Sequence, residues 1–220
     1  MEPVKFFVMG GDPAVMKMIA DAGHSNALRV TDAQAVVFTG GADVTPFLYG
    51  EKCLTWSKPD FTRDLNELAI FKRLPTYMPK IGICRGGQFL NVMSGGRMWQ
   101  HVTGHMTNHM IKFQWHSESE PEYINVSSDH HQMMIPGEEA QVLAWSNEAT
   151  DKHGEFESKK LDFSQRKAAY DDVEICYYWN TNSLCFQPHP EYSGQETCKK
   201  LFWELVDGFC LESLKKKEAA

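Results

Sequence analysis

Short, wholly apolar runs separated by longer amphipathic or polar stretches set the rhythm of this chain. Val4 to Met9 is apolar and partly β-branched and closes on Gly10-Gly11-Asp12-Pro13. It predicts a strand, then a helix from about Pro13 to Ala22 with proline at its first position. Ala35-Val36-Val37-Phe38 is a second such run, of the kind a parallel sheet buried on both faces requires. It ends at Thr39-Gly40-Gly41-Ala42-Asp43-Val44, and the ends of such strands are where open α/β sheets place their ligands. Thr45 to Pro59, broken by Pro46 and Gly50, reads as a loop. From Thr62, Leu65, Leu68, Ala69 and Phe71 recur at three- and four-residue steps and predict a helix ending before Pro75.

A third apolar run, Ile81 to Ile83, is followed by a helical pattern with Phe89, Leu90, Val92 and Met93, which stops at Gly95-Gly96. Tyr123 to Val126 alternates like a strand. Val173 to Trp179 and Ser183 to Phe186 predict a hairpin around Asn180-Thr181-Asn182. A last amphipathic helix, from about Ser193 to Leu214, turns Leu201, Phe202, Leu205 and Phe209 toward the core. With no internal repeat and no dividing linker, residues 1–220 read as one domain. Residues 148–172 form a charged surface excursion, and residues 215–220 a frayed tail.

Composition narrows the function. A chain of 220 residues with 42% hydrophobic content buries a full core. Its net charge of −7, with no basic stripe beyond Lys215-Lys216-Lys217, argues against nucleic-acid binding. No apolar run is long enough to span a membrane and no signal peptide is evident, so a cytoplasmic protein is expected. The six cysteines show no CxxC pair and no zinc-like spacing, which fits reduced thiols. His101, His105, His109 and His116 are the densest imidazole cluster. Gly104 interrupts the four-residue step, and no acidic or thiol ligand shares the spacing, so no metal is assigned.

Gly82-Ile83-Cys84-Arg85-Gly86 has the Gly-x-Cys-x-Gly spacing of a nucleophile elbow, a tight strand-to-helix turn that lifts one side chain clear of the sheet. A cysteine at a helix N-terminus meets unpaired N–H groups and a dipole that favour the thiolate. About a hundred residues on, Gln187-Pro188-His189-Pro190-Glu191 is held extended by its prolines. Residues two apart then project to the same side, so the Glu191 carboxylate reaches His189 Nδ1 and leaves Nε2 directed elsewhere. That is the base and orienter of a cysteine–histidine–acid triad.

These motifs resemble the class I glutamine amidotransferase superfamily. Gly40-Gly41-Ala42-Asp43-Val44, Pro46, Tyr49-Gly50-Glu51, Arg63-Asp64 with Glu67, and Leu90-Asn91-Val92 resemble its gamma-glutamyl-gamma-aminobutyrate hydrolase branch. Ser128-Asp129-His130-His131-Gln132 is similar to that branch's Ser-x-His-His-Gln. The resemblance implies a flavodoxin-like α/β three-layer sandwich with a mostly parallel central sheet. It implies Cys84 as nucleophile, His189 as base, Glu191 as orienter, and an oxyanion hole from the N–H groups of Gly41 and Arg85. It further implies contacts to the glutamyl substrate from Gln88, Asp129 and His130, with no cofactor. Gly87, Pro188 and His101 stand where the branch commonly has histidine, an aromatic residue and aspartate, which leaves the triad intact and the substrate open.

The expected reaction is hydrolysis of a gamma-glutamyl amide, glutamine included, through a glutamyl thioester. The alternative is a glutaminase subunit that passes ammonia to a separate synthetase. A homodimer is left open.

Overall fold

The computed structural model describes residues 2–116, 118–149, 151–154, 172–211 and 214. The first half alternates strand and helix: β1 (Lys5–Val8), α1 (Pro13–Asp21), β2 (Ser25–Asn26), β3 (Ala35–Phe38), α2 (Phe61–Arg73), β4 (Lys80–Ile83) and α3 (Arg85–Met93). The second half is mostly strand: β5 (Arg97–Trp99), β6 (His101–Val102), β7 (His109–Phe113), β8 (Glu122–Val126), β9 (Met133–Ile135), β10 (Ala140–Ser146), β11 (Lys152–His153), β12 (Asp172–Tyr178) and β13 (Ser183–Phe186). Helix α4 (Glu196–Leu205) follows and runs into a π-helical turn, Val206–Leu211. Most of the excursion expected at 148–172, residues 155–171, and the tail at 215–220 lie outside the described residues.

The main sheet runs β2-β1-β3-β4-β13-β12-β10-β7-β8. Its first five strands are parallel, and from β12 outward every pairing is antiparallel. The expected α/β sandwich is therefore present, with an antiparallel wing added to the parallel core. Alternation along the strands sorts the two faces. Ala35, Val37, Leu184 and Phe186 pack with Val15 and Ile19 of α1 and Leu201 and Phe202 of α4. Val36, Phe38 and Cys185 pack with Phe89, Leu90 and Val92 of α3. Among the described residues no helix is long and apolar enough to cross a membrane.

Two expectations need correction. The last helix begins at Glu196, and its regular α-geometry ends at Leu205 rather than near Leu214. On α2 the apolar period misleads: Leu65 is exposed, while Asp64 and Glu67 are buried. The cause is electrostatic. The inward face of α2 meets the buried guanidinium of Arg85, and a buried cation demands carboxylates beside it.

Candidate active site

Strands β4 and β13 are parallel neighbours in register, Gly82 opposite Cys185 and Ile83 opposite Phe186. Whatever follows one strand therefore lies beside whatever follows the other. This pairing brings Cys84 to Gln187 and His189, and the Cys84 N–H donates to the Phe186 carbonyl at 2.8 Å.

Cys84 has φ 50°, a left-handed conformation that a side chain adopts only where the surroundings enforce it. The enforcement comes from packing of the elbow. A Cβ on Gly86 would lie 1.9 Å from the Phe38 carbonyl oxygen, and one on Gly82 would lie 2.4 Å from the Gly86 carbonyl. Helix α3 then leaves from Arg85, whose N–H is the first of the helix and has no intrahelical partner.

His189 Nδ1 stands 2.7 Å from Glu191 Oε1, the contact the sequence predicts, but the segment is not extended: Pro190 and Glu191 form a turn closed by the Tyr192 N–H on the His189 carbonyl at 3.3 Å, and this turn carries the carboxylate back to the ring. The His189 ring is buried and stacks on Tyr192 at 4.3 Å between centroids. Burial works against a charge on this imidazole. Cys84 and Glu191 work for it more strongly, and the His189 pKa is pushed up to about 10. A Cβ placed on Gly40 would lie 3.2 Å from His189 Cε1 and 3.8 Å from Cys84 Cβ, so the Gly40-Gly41 loop closes over both groups.

The remaining expected site residues are distributed unevenly. Gln88 is buried, and its Nε2 donates to the Gln132 carbonyl and to Gln187 Oε1, both at 3.1 Å. Its amide N–H groups are thus engaged within the protein. Gln187, which the sequence did not single out, donates from Nε2 toward Cys84 Sγ at 3.6 Å. Asp129 is exposed and accepts from the Tyr192 hydroxyl at 3.3 Å, at the edge of the ring that covers His189. His130 is not brought to Cys84: it is buried, with Nδ1–H donating to the Gln132 carbonyl at 2.9 Å and Nε2 3.9 Å from Glu174. The expected substrate contact from His130 is therefore withdrawn. Its ring is turned into the interior by its own chain two residues on.

Two charged networks flank Cys84, His189 and Glu191. Under the Gly40-Gly41 loop, Arg63 donates to the carbonyls of Thr39 and Gly40, each at 2.9 Å, and to Glu67 at 2.8 Å. Arg85 donates to the Ala42 carbonyl at 3.1 Å and pairs with Asp64 and Glu67. Asp64 in turn accepts from the Thr45 N–H at 2.7 Å. Arg63, Asp64 and Glu67 are marked in the sequence only by the resemblance; charges at three- and four-residue steps on one helix are the local signal they carry.

On the other side, Glu174 stands 3.0 Å from His109 Nε2 and 3.3 Å from His105 Nδ1. Burial lowers and the carboxylates of Asp172 and Glu174 raise the His105 pKa, which settles at about 9. Burial resists charge on Glu174, yet the adjoining imidazoles of His105 and His109 hold its carboxyl well below the usual range. Ligand atoms of His105, His130 and Glu174 lie within 4.8 Å of one another, the grouping among the described residues with the donor set for a metal ion. This cluster backs the segment that carries His189. His105 O accepts from Ser128 Oγ at 2.7 Å, and Ser127 Oγ joins both the N–H and the carbonyl of His189.

A family model described as Peptidase C26 matches residues 5–191. The Mycobacterium tuberculosis protein named "Putative glutamine amidotransferase Rv2859c" is 33% identical over 204 residues, covering 89% of this chain and 59% of that protein. The Lactococcus lactis "Putative glutamine amidotransferase-like protein YvdE" is 44% identical over 89 residues, 40% of this chain and 36% of its own length. This chain thus spans less than two thirds of the relatives it matches. A solved structure described as a "putative gmp synthase subunit a protein" from Thermoplasma acidophilum superposes with a TM-score of 0.67 at 16% identity, covering 99% of each chain. A glutamine amidotransferase from Thermotoga maritima gives 0.59 at 14% identity, covering 98% of this chain and 86% of that one. At those identities the likeness establishes the fold. The family match extends from β1 through Glu191, and this chain belongs to the peptidase C26 family, of the glutamine amidotransferase-type hydrolases.

Proposed function

We propose that this protein hydrolyses a gamma-glutamyl amide through a thioester on Cys84. The Cys84 sulfur attacks the side-chain carbonyl carbon, and the carbonyl oxygen gathers charge against the N–H groups of Gly41 and Arg85. His189, charged beside the sulfur, hands a proton to the leaving amine. It then takes one from the water that releases glutamate and regenerates the thiol. Glu191 orients the imidazole and favours its charged form. Asp129, at the mouth beside Tyr192, is positioned for the substrate's ammonium group, while Gln88 acts one step back by fixing Gln187.

The observation that carries this reading is a strained cysteine at a helix start beside a histidine whose Nδ1 is 2.7 Å from a carboxylate. The test is turnover of a panel of gamma-glutamyl amides, glutamine included. Release of glutamate from at least one of them, lost in Cys84→Ala, is the expected result. No release from any would contradict the substrate class.

A second reading, a glutaminase subunit that hands ammonia to a separate synthetase, draws on the names of relatives, chiefly the one sharing 33% identity over 89% of this chain. It predicts glutamine as the preferred substrate and low turnover until a partner is added. The hydrolase reading predicts full turnover by this chain alone, with amides larger than glutamine preferred.

A further inference from the structure

The Gly40–Gly41 peptide carries a carbonyl and an N–H that point in opposite directions across one rigid trans plane. Fixing one therefore fixes the other. The Gly40 carbonyl receives Arg63 Nη1 at 2.9 Å, and the Thr39 carbonyl before it receives Arg63 Nη2 at 2.9 Å. The fork of one guanidinium thus grips two successive carbonyls, and its third donor, Nε, is held by Glu67 at 2.8 Å. Gly41 lies so close beneath this group that a Cβ there would be 2.2 Å from Nη1, and its φ of 136° is one that side chains rarely adopt. The loop residue is glycine because an arginine occupies the space its side chain would fill.

Two further observations separate Arg63 from the rest of the buried network. Arg85, which is 1% exposed, pairs with both Asp64 and Glu67, so those carboxylates keep a cation when Arg63 is removed. Arg63 itself is 25% exposed along its side chain and lines a cleft of about 630 Å³ with Gly10, Gly11, Asp12 and Asn66. The Arg63 side chain is reached by solvent from this cleft while its donors face the loop's carbonyls.

We infer that Arg63 is a positioning residue for the oxyanion donor, acting through the Gly40 carbonyl to aim the Gly41 N–H at the carbonyl oxygen of the substrate. The inference rests on the proposed reading of Cys84 as nucleophile and Gly41 as oxyanion donor. Arg63 touches no reacting atom. Its effect belongs to the transition state, where the oxygen carries charge, and not to ground-state binding.

The experiment compares wild type, Arg63→Ala and Arg63→Lys with a gamma-glutamyl substrate the wild type turns over. Both variants should lose about a hundredfold or more in kcat, the scale of one oxyanion donor. KM should stay within about a factor of two, because uniform binding is untouched. Lysine should fail because a point charge cannot grip two carbonyls. Millimolar guanidinium should restore part of the Arg63→Ala rate, since truncation opens the cleft onto the vacated site, and should do nothing for wild type. Alkylation of Cys84 by iodoacetamide, which forms no oxyanion, should proceed equally in all three.

Turnover of Arg63→Ala within about threefold of wild type would overturn the inference. So would a raised KM at unchanged kcat, or a slowed alkylation of Cys84, either of which assigns Arg63 another role. Wild type that forms no thioester on Cys84 would overturn the reading beneath as well, and that outcome is distinct from thioester formation with an indifferent Arg63.

Discussion

The two halves of the candidate site are held by different kinds of charge. The half that holds Cys84 and the Gly40-Gly41 loop is carried on arginines: Arg63 and Arg85 reach the carbonyls of Thr39, Gly40 and Ala42 and are balanced by Asp64 and Glu67. The half that holds His189, with Ser127 and Ser128, lies against histidines: His105 and His109 face Glu174, and Ser128 bonds the His105 main-chain carbonyl. Burial pushes the Arg85 pKa down, to about 9, and the two carboxylates bonded to that guanidinium act to keep its proton. The first support is therefore charged throughout the neutral range. An ordinary imidazole loses its proton near 6.5, so the charge of the second support depends on its neighbours: Asp172 and Glu174 raise the His105 pKa to about 9. The Cys84 half is charged by the nature of its side chains, and the His189 half by the carboxylates that hold protons on its imidazoles.

The largest effects come from removing what each half carries. Cys84→Ala should reduce turnover by on the order of 10⁴-fold or more with the fold retained. His189→Asn should do nearly as much. A steady-state assay checks both, and a Cys84→Ala protein retaining a tenth of the wild-type rate would mean the nucleophile lies elsewhere. Glu191→Gln should lose less, since the base remains. It should also move the alkaline limb of the rate profile. His189 is held charged to about pH 10 partly by Glu191, so activity that needs the imidazolium should fall as pH rises through about 10 in wild type and at a lower pH in the variant. An unmoved limb would separate Glu191 from the charge on His189.

Next come the supports themselves. Arg85→Met leaves Asp64 and Glu67 buried with only the partly exposed cation of Arg63 nearby, and should cost about 3–5 kcal/mol in chemical denaturation. The loss should be present at every neutral pH at which the carboxylates are ionised.

The smallest effect is the one that most sharpens the contrast. His105 has its pKa raised to about 9 by Asp172 and Glu174, above the ordinary value of 6.5. Its stabilisation is therefore fully present below about pH 6.5 and lost as pH rises through about 9. His189 contributes in the same direction. Wild-type stability should fall by a few kcal/mol between pH 6.5 and pH 9.5, and the fall should be smaller in Glu174→Gln, which removes one of the two carboxylates holding the His105 proton. Equal unfolding free energies at the two pH values would mean the histidine cluster does not titrate as its contacts require.

Much of this was legible from residue order alone. The runs at 35–38 and 81–83 were recognisable because buried parallel strands are apolar on both faces, and the elbow and Pro-His-Pro-Glu segment because each carries its own backbone restraint. Their juxtaposition was not, because it depends on β4 and β13 being neighbours in the sheet. The buried acids of α2 were hidden for a different reason. Periodicity assumes that the inward face is apolar, and here Leu65 is turned out while Asp64 and Glu67 answer a cation on another helix. His130 misled for the same cause: a motif says which residues occur together but not which way a ring is turned, and a single bond to the Gln132 carbonyl turned this one inward. Glu174, in the middle of a strand read as hydrophobic, carried no local signal of the three imidazoles that converge on it.

The central claim, that chemistry passes through a glutamyl thioester on Cys84, is tested most directly by rapid acid quench of the protein with a gamma-glutamyl substrate, followed by peptide mass mapping. The account predicts a glutamyl adduct on the peptide bearing Cys84, absent in Cys84→Ala and accumulating in His189→Asn only slowly. An adduct on Cys53, the exposed cysteine, or turnover with no covalent adduct on any cysteine, would contradict it.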